Sequence, residues 1–301
     1  MQLTILGCHS ATPRQNAHTT SQLLEVQGHL FLIDCGEGTQ MQLRKSGVKF
    51  ARIKHIFISH LHGDHFYGLV GLISTFRLLG RNSPLHIYGP KGIKEIIVLQ
   101  LKLAQSWTNY DLFFHELESK SSEQIFEDDK LTVSTIPLDH RVYTNGFLFQ
   151  EKKGPKQLNK SAADAYNIPI CDYEKIKAGN DYQLADGKVV ANAELTLPPR
   201  PPKSYAFCSD TAYNEAIVPL IKEVDALYHE ATFLEKHAEL AEQTKHSTVL
   251  QAAHIARLAQ VKQLIVGHYS SRYKDHQLFL EEAQTTFKNT LLAEDFKSFS
   301  I

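Results

Sequence analysis

Long apolar runs are missing from this chain. Nothing in its 301 residues approaches the roughly 20 consecutive apolar positions that cross a bilayer, so no membrane association is expected. The start, MQLTILGCHS, lacks the basic segment and the apolar stretch of a secretion signal, which points to a cytoplasmic protein. Cysteine is sparse: Cys8, Cys35, Cys171 and Cys208 are widely separated with no C-x-x-C pair, and they read as buried free thiols rather than a disulfide framework. Net charge is nearly absent, at −1, which excludes a globally basic nucleic-acid coat. A polyanion would have to be met by a local patch, and no DNA partner is expected. Disorder is excluded as well, because 43% hydrophobic residues against 22% charged ones suffice to bury a core.

What the chain has in excess is histidine, with 16 residues. Imidazole is both a metal ligand and a proton carrier near neutral pH, so the positions of these residues matter. Four groups of interest fall in ISHLHGDHFYGL, residues 58–69: His60, His62, Asp64 and His65. The preceding IKHIFISH reads as a buried strand, and FYGLVGLISTFRLLG has apolar residues at helical spacing, ending on Gly80. The cluster therefore sits in a strand-to-helix loop, where sites of α/β proteins usually lie.

The same alternation runs through much of the chain. LTILG, SQLLEV and HLFLIDCG read as strands, EGTQMQLRKSG as a helix closed by Gly47, and PLHIYGP with KGIKEIIVLQLKLA as a strand and its helix. LTVSTIPLDH and GFLFQEKKGP look like antiparallel strands. From Gly154 to about Pro202 the pattern weakens into a polar stretch ending in LTLPPRPPKS, which reads as an insertion or protruding arm. Regular order resumes with YAFCSD as a strand, NEAIVPLIKE as a helix, VDALYHEATF as a strand, STVLQAAHIARLAQ as a helix, KQLIVGH as a strand, and a last helix from about Asp275. Two runs of strands, each with helices, predict a layered sandwich.

Intervals of two, two and one in the cluster let its side chains enter different coordination pockets, so one loop can serve two metals. Zinc suits imidazole nitrogen and carboxylate oxygen, and the absence of cysteine from the cluster argues against a closed structural zinc site. Three more candidates end apolar strands: His140 in IPLDH, Asp210 in FCSDT and His268 in LIVGH. The strand-end rule would deliver all of them to one sheet edge. For an isolated histidine the bland reading, a polar surface residue or helix cap, is the better one. For H-x-H-x-D-H at the end of a buried strand, the metal reading is.

SHLHGDH followed by LDH, SDT and VGH resembles the metallo-β-lactamase superfamily. DCGEGTQ at 34–40, HEATF at 229–233 and KHST at 245–248 narrow the resemblance to its ribonuclease Z branch, the tRNA 3′-processing endonucleases, from Gly7 to His268. It implies one α/β domain over residues 1–301, a four-layer αβ/βα sandwich with an RNA-binding arm inserted at about 152–200. It further implies that His60, His62 and His140 hold one zinc ion and Asp64, His65 and His268 a second, with Asp210 bridging; manganese or another divalent ion is the alternative. Asp64 would orient the attacking water and accept its proton. His246 would protonate the leaving 3′ oxygen, with Glu230 beside it. For His246 alone a helix-capping role has equal standing, since HST also starts a helix well. His229 would pack or support the site.

The resemblance also implies precursor tRNA as substrate, a homodimer, and an arm whose Gly-Pro pair touches the RNA. Here EKKGPKQLNKS offers Lys152, Lys153, Lys156 and Lys160 around Gly154 and Pro155, a cluster that without the resemblance reads as a solvated loop. Related enzymes place a P-x-x-R-N type loop near the RNA 3′ end, whereas this chain has Pro13, Arg14, Gln15 and Asn16 in a different spacing. That loop either binds RNA through Arg14 or simply turns between strands. Two other function classes compete: a small-molecule phosphodiesterase, thioesterase or lactonase of the same superfamily, and a metal-free relative that only binds RNA or a partner.

Overall fold

A computed structural model describes every residue except Pro13 and Gln15. The first half of the chain forms β1 (Gln2–Gly7), β2 (Ser21–Val26), β3 (His29–Ile33), β4 (Ile53–Phe57), β5 (Leu85–Pro90) and β6 (Leu112–Leu117). β2 and β3 form a hairpin whose two turn residues, Gln27 and Gly28, have φ of 52° and 89°, the type I′ pattern that matches strand twist. β3 to β6 then run parallel, connected by helices Thr39–Lys45, Gly63–Phe66, Leu69–Leu78 and Ile93–Leu103.

The second half begins with the antiparallel strands β7 (Gln124–Glu127), β8 (Leu131–Pro137) and β9 (Asn145–Glu151). After β9 the chain leaves the sheet and builds β10 (Gln157–Leu158), β11 (Tyr182–Gln183), β12 (Val189–Val190) and β13 (Thr196–Leu197) together with short helices. It returns as β14 (Ser204–Cys208), β15 (Ala226–Glu230), β16 (Leu264–Gly267) and β17 (Thr290–Leu292), and closes with β18 (Ser298–Ser300). Two seven-stranded sheets result, in the orders β18-β1-β2-β3-β4-β5-β6 and β17-β16-β15-β14-β9-β8-β7.

Strand alternation explains how the layers stack. In β3, Phe31 and Ile33 join a core shared with Val133, Phe147, Phe149 and Tyr205 of the opposite sheet, while Leu30 and Leu32 face a second core with Leu69, Leu72 and Ile73 of the outer helix. Helices Val249–Leu258 and Gln277–Gln284 cover the other sheet. The order is helix, sheet, sheet, helix, the expected four-layer αβ/βα sandwich.

Some expectations are refined. NEAIVPLIKE forms a 3₁₀ helix over Glu215–Ile221 because Pro219, lacking an N–H, lies inside it. The final helix is followed by β17 and β18, two three-residue strands too short to be read from the sequence, and β18 pairs antiparallel with β1. All four cysteines are free; Cys8, Cys35 and Cys208 are buried as expected, but Cys171 in the insertion is exposed. The insertion has a small core of its own, Ala163, Ile168, Ile176, Val190 and Leu195. No helix among the described residues is long and apolar enough to cross a membrane.

Candidate metal centre

The parallel topology carries the ends of β4, β14, β15 and β16 to one edge of the sandwich. Ser59 and His60 follow β4, Asp210 follows β14, Glu230 ends β15, and His268 follows β16. The β8–β9 turn adds His140. Gly36 and Gly68 seat the cluster loop. A Cβ on Gly36 would strike Thr19 and the Asp64 carbonyl, and one on Gly68 would strike the Gly36 carbonyl. The GEG stretch is thus placed by close backbone approach.

His60 and His62 lie in the loop, and Asp64 and His65 on the one-turn helix Gly63–Phe66. His60 Nε2 is 3.1 Å from His62 Nδ1, which is 3.3 Å from His140 Nε2, and Asp210 Oδ2 is 3.5 Å from His60 Nε2 and 3.8 Å from His140 Nε2. A second group forms beside it. Asp210 Oδ1 is 3.1 Å from both His65 Nε2 and His268 Nε2, and Asp64 Oδ2 is 3.4 and 3.5 Å from the same two atoms. The two oxygens of Asp210 face different groups. All seven residues predicted as ligands are therefore together, in the expected division.

The donor set fits divalent cations. Tetrahedral bonds of about 2.0–2.1 Å put ligand atoms about 3.3 Å apart, close to the separations here. The outer nitrogens are already committed: His65 Nδ1 to Asp34 at 2.7 Å, His140 Nδ1 to the Lys245 carbonyl at 2.8 Å, and His268 Nδ1 to Thr232 Oγ1 at 2.9 Å. Each therefore turns a lone pair at Nε2 inward. Among the described residues His65 Nε2 and His268 Nε2 are buried without a hydrogen-bond partner, a costly state that a cation relieves. Electrostatics agree. Burial pushes His60 and His140 down, toward the neutral ligand form. Burial also opposes a charge on His65, yet Asp210, Asp64 and Asp34 together hold it well above its ordinary value, a field that calls for positive charge at this spot.

Asp34, Asp210 and His268 have φ of 55°, 56° and 63°, in the left-handed region that is uncommon for residues other than glycine. Sheet pairing and hydrogen bonds hold them there; Asp34 Oδ1 accepts from the Ser59 backbone and Oδ2 from the Ser59 hydroxyl.

Glu230 is fully buried and accepts from His246 Nδ1 at 2.7 Å, from the Thr211 and Thr232 backbones at 2.9 and 3.1 Å, and from Thr232 Oγ1 at 2.6 Å. Left-handed Lys245 ends one helix and Thr248 opens the next with a capping box, which leaves His246 in the corner between them. Its ring centroid lies 5.1 Å from that of His140 and 5.4 Å from that of His268. Burial disfavours charge on His246, but Glu230 overrides it and raises the imidazole to about 9. His229 is buried, bonded through Nδ1 to its neighbour's carbonyl at 2.7 Å, and takes no part in either ligand group.

Sequence reasoning assigned no role to Asp34, Ser59, Thr211 or Thr232. Asp34 was findable, since it ends the apolar run HLFLI as the other candidates end theirs. The hydroxyl groups carry no such signal. Of the loop near the amino terminus, Pro13 and Gln15 lie outside the described residues. Arg14 contacts His9 Nδ1 at 3.1 Å and lines a cavity of about 600 Å³ with Tyr273, Lys274 and His276. Gly154 and Pro155 lie at the root of the insertion, in a groove of about 930 Å³ that Met1 and Ile301 also line.

The family model described as Anti-Pycsar protein Apyc1 matches residues 1–155. A ribonuclease Z from Bacteroides fragilis is 48% identical over 294 residues, 98% of this chain and 97% of that protein. The crystal structure of human tRNase Z, short form, superposes with a TM-score of 0.74 at 28% identity, covering 100% of this chain and 99% of the human one. The metallo-β-lactamase fold protein YhfI from Bacillus subtilis, at 18% identity and a TM-score of 0.69 over 99% of this chain and 98% of its own, shares the fold. The chain belongs to the ribonuclease Z family, and its residues 1–155 fall also within the Anti-Pycsar protein Apyc1 family.

Proposed function

We propose that this protein is the endoribonuclease that removes the 3′ trailer of precursor tRNA, works in the cytoplasm, and leaves a 3′-hydroxyl on the tRNA and a 5′-phosphate on the trailer. The observation that carries the proposal is the pairing of two ligand groups through Asp210 with the His246–Glu230 pair alongside, in a chain whose full-length relatives are ribonuclease Z proteins.

His60, His62, His140 and Asp210 would hold one ion, and Asp64, His65, His268 and Asp210 the other. Zinc is the first choice for so many imidazoles, with manganese as the alternative. When bound, the pair supplies Lewis-acid stabilisation of charge at phosphorus and acidifies water. Asp64, fixed by the Ala11 backbone N–H at 2.8 Å, orients the attacking water and receives its proton. His246 gives a proton from Nε2 to the departing 3′ oxygen. Glu230 keeps Nδ1–H pointed away from substrate and the ring charged between turnovers. The partly exposed His246 ring can reach substrate, while buried Glu230 acts through it.

Lys153, Lys156 and Lys160 are exposed on the insertion, with Lys152 half-buried beside them, and contribute charge for the RNA backbone. Two of them are also structural: Lys152 pairs with Glu127 at 2.5 Å and Lys156 with Asn192 Oδ1 at 2.7 Å. The insertion departs at Glu151, while Asn145 at the other end of β9 borders the centre, a separation of about 20 Å along seven residues. We infer a homodimer, in which each arm would serve its partner's site.

The test is incubation of the purified, metal-loaded protein with two precursor tRNAs, one encoding CCA and one not, followed by mapping of the product ends. A single endonucleolytic cut with 3′-hydroxyl and 5′-phosphate ends is expected. Failure to cut either RNA, or cyclic phosphate ends, would overturn the proposal.

A further inference from the structure

A second cavity, of about 670 Å³, opens beside the centre, with His140 in its wall. It lies between the β8–β9 turn and the loop joining β6 to β7, and the reaction described above makes no use of it. Its volume falls within the range of about 300–1,000 Å³ typical of small-ligand sites.

The lining chemistry suits a nucleotide. Lys120 and Arg141 supply positive charge, and Asp139, the one carboxylate among the described lining residues, is held by Lys245 at 3.0 Å. Asn145 lies in the wall, 1% exposed; its amide nitrogen donates to the Tyr143 hydroxyl at 2.8 Å, and its amide oxygen is buried with no partner among the described residues. Such an orphaned acceptor is satisfied by an incoming N–H or O–H, as nucleobases and ribose provide.

From the β16 side, the strand ends carry His268, Glu230, Asp210 and His140 in turn, with the cavity beyond His140, and the His246 ring centroid is 5.4 Å from that of His268 and 5.1 Å from that of His140. The leaving 3′ oxygen belongs within reach of His246. The trailer begins at that phosphate, and the cavity adjoins the centre through His140. We propose that the cavity is a subsite for the first nucleotides of the 3′ trailer, with Lys120 and Arg141 on phosphates and Asn145 accepting from a base or ribose donor. The inference rests on the reading of the chain as a tRNA 3′ endonuclease with His246 as its proton donor.

The experiment compares metal-loaded wild type with Lys120→Ala, Arg141→Ala and the double variant, on a precursor with a long trailer and with mature tRNA as competitive inhibitor. Each single-strand phosphate contact contributes about 0.7 to the slope of log affinity on log salt. The slope of log KM on log salt for the precursor should fall by about 0.7 in each single variant and about 1.4 in the double one. KM should rise severalfold, with inhibition by mature tRNA unchanged. Lys120→Ala, on a loop away from the ligands, reads the effect without touching the centre. Equal weakening of mature tRNA would put the tRNA body in the cavity, and an unchanged KM and slope would put the cavity outside the RNA path; either overturns the inference. Wild-type cleavage of the same precursor tests the parent reading separately, and its absence would remove both.

Discussion

Replacing Glu230 by Gln keeps the shape of the side chain and removes its charge. In the native protein burial works against a charged His246, but Glu230, 2.7 Å from Nδ1, outweighs burial and raises the imidazole to about 9. Without that carboxylate the ring returns to its ordinary value of about 6.5 or below. At pH 7.5 a group titrating at about 9 is about 97% protonated, and one at about 6.5 only about 9%. The proton-donating population, and the cleavage rate with it, should fall about tenfold, a change in His246 basicity worth roughly 3 kcal/mol. The sign for stability follows. A histidine raised on folding adds stability that is complete below about pH 6.5 and is lost as pH climbs through about 9, and the substitution removes this dependence.

The assay is single-turnover cleavage of precursor tRNA between about pH 6 and 10, with metal content and thermal stability measured on the same protein. The alkaline limb should move down by about 2.5 units with metal content held. Some loss of stability is expected, because Glu230 also accepts from Thr211 and Thr232 and the new amide presents a donor to one of them, at about 1–3 kcal/mol. In a His246→Ala background the substitution should cost no further rate, since both residues act on one proton. An alkaline limb that stays in place, or an additive loss in that background, would refute the assignment.

His246→Ala should slow cleavage by roughly 10²–10⁴-fold while leaving bound metal unchanged; protein stripped of metal would make the residue a ligand instead. Asp34→Asn should weaken metal binding at the Asp64, His65 and His268 group by roughly 10–100-fold, because the Asp34 carboxylate fixes His65 from 2.7 Å. Competition against a chelator measures this, and an unchanged affinity would show that His65 needs no such anchor. Replacing residues 152–200 by a short turn should abolish precursor tRNA cleavage and spare a small phosphodiester. The design is sound because Gln150 pairs with Ser204 and the Glu151 backbone bonds to Lys203 at 2.9 Å, so the two ends already meet. Equal loss of both activities would count against the arm as the RNA-holding part.

The sequence alone determined the layered α/β sandwich, because period-two strands and period-3.6 helices alternate legibly, and it offered the seven ligand candidates, because four cluster in H-x-H-x-D-H after one apolar strand and the other three come at the ends of apolar runs. It could not read β17 and β18, whose three residues each carry no pattern and pair only when the rest of the sheet is built. Nor could it separate a helix cap from a proton donor at His246. Thr248 does cap the following helix, and His246 two positions earlier is nonetheless turned to Glu230. Tertiary structure decided the rest. Asp34, Ser59 and Thr232 gained their places from strands far apart in the chain, and whether a hydroxyl or carboxylate fixes an imidazole depends on approaches of about 3 Å that no linear spacing encodes. Asp210 shows the division most clearly: its strand end was legible in FCSD, but the splitting of its two oxygens between two ligand groups required His60 and His140 on one side and His65 and His268 on the other.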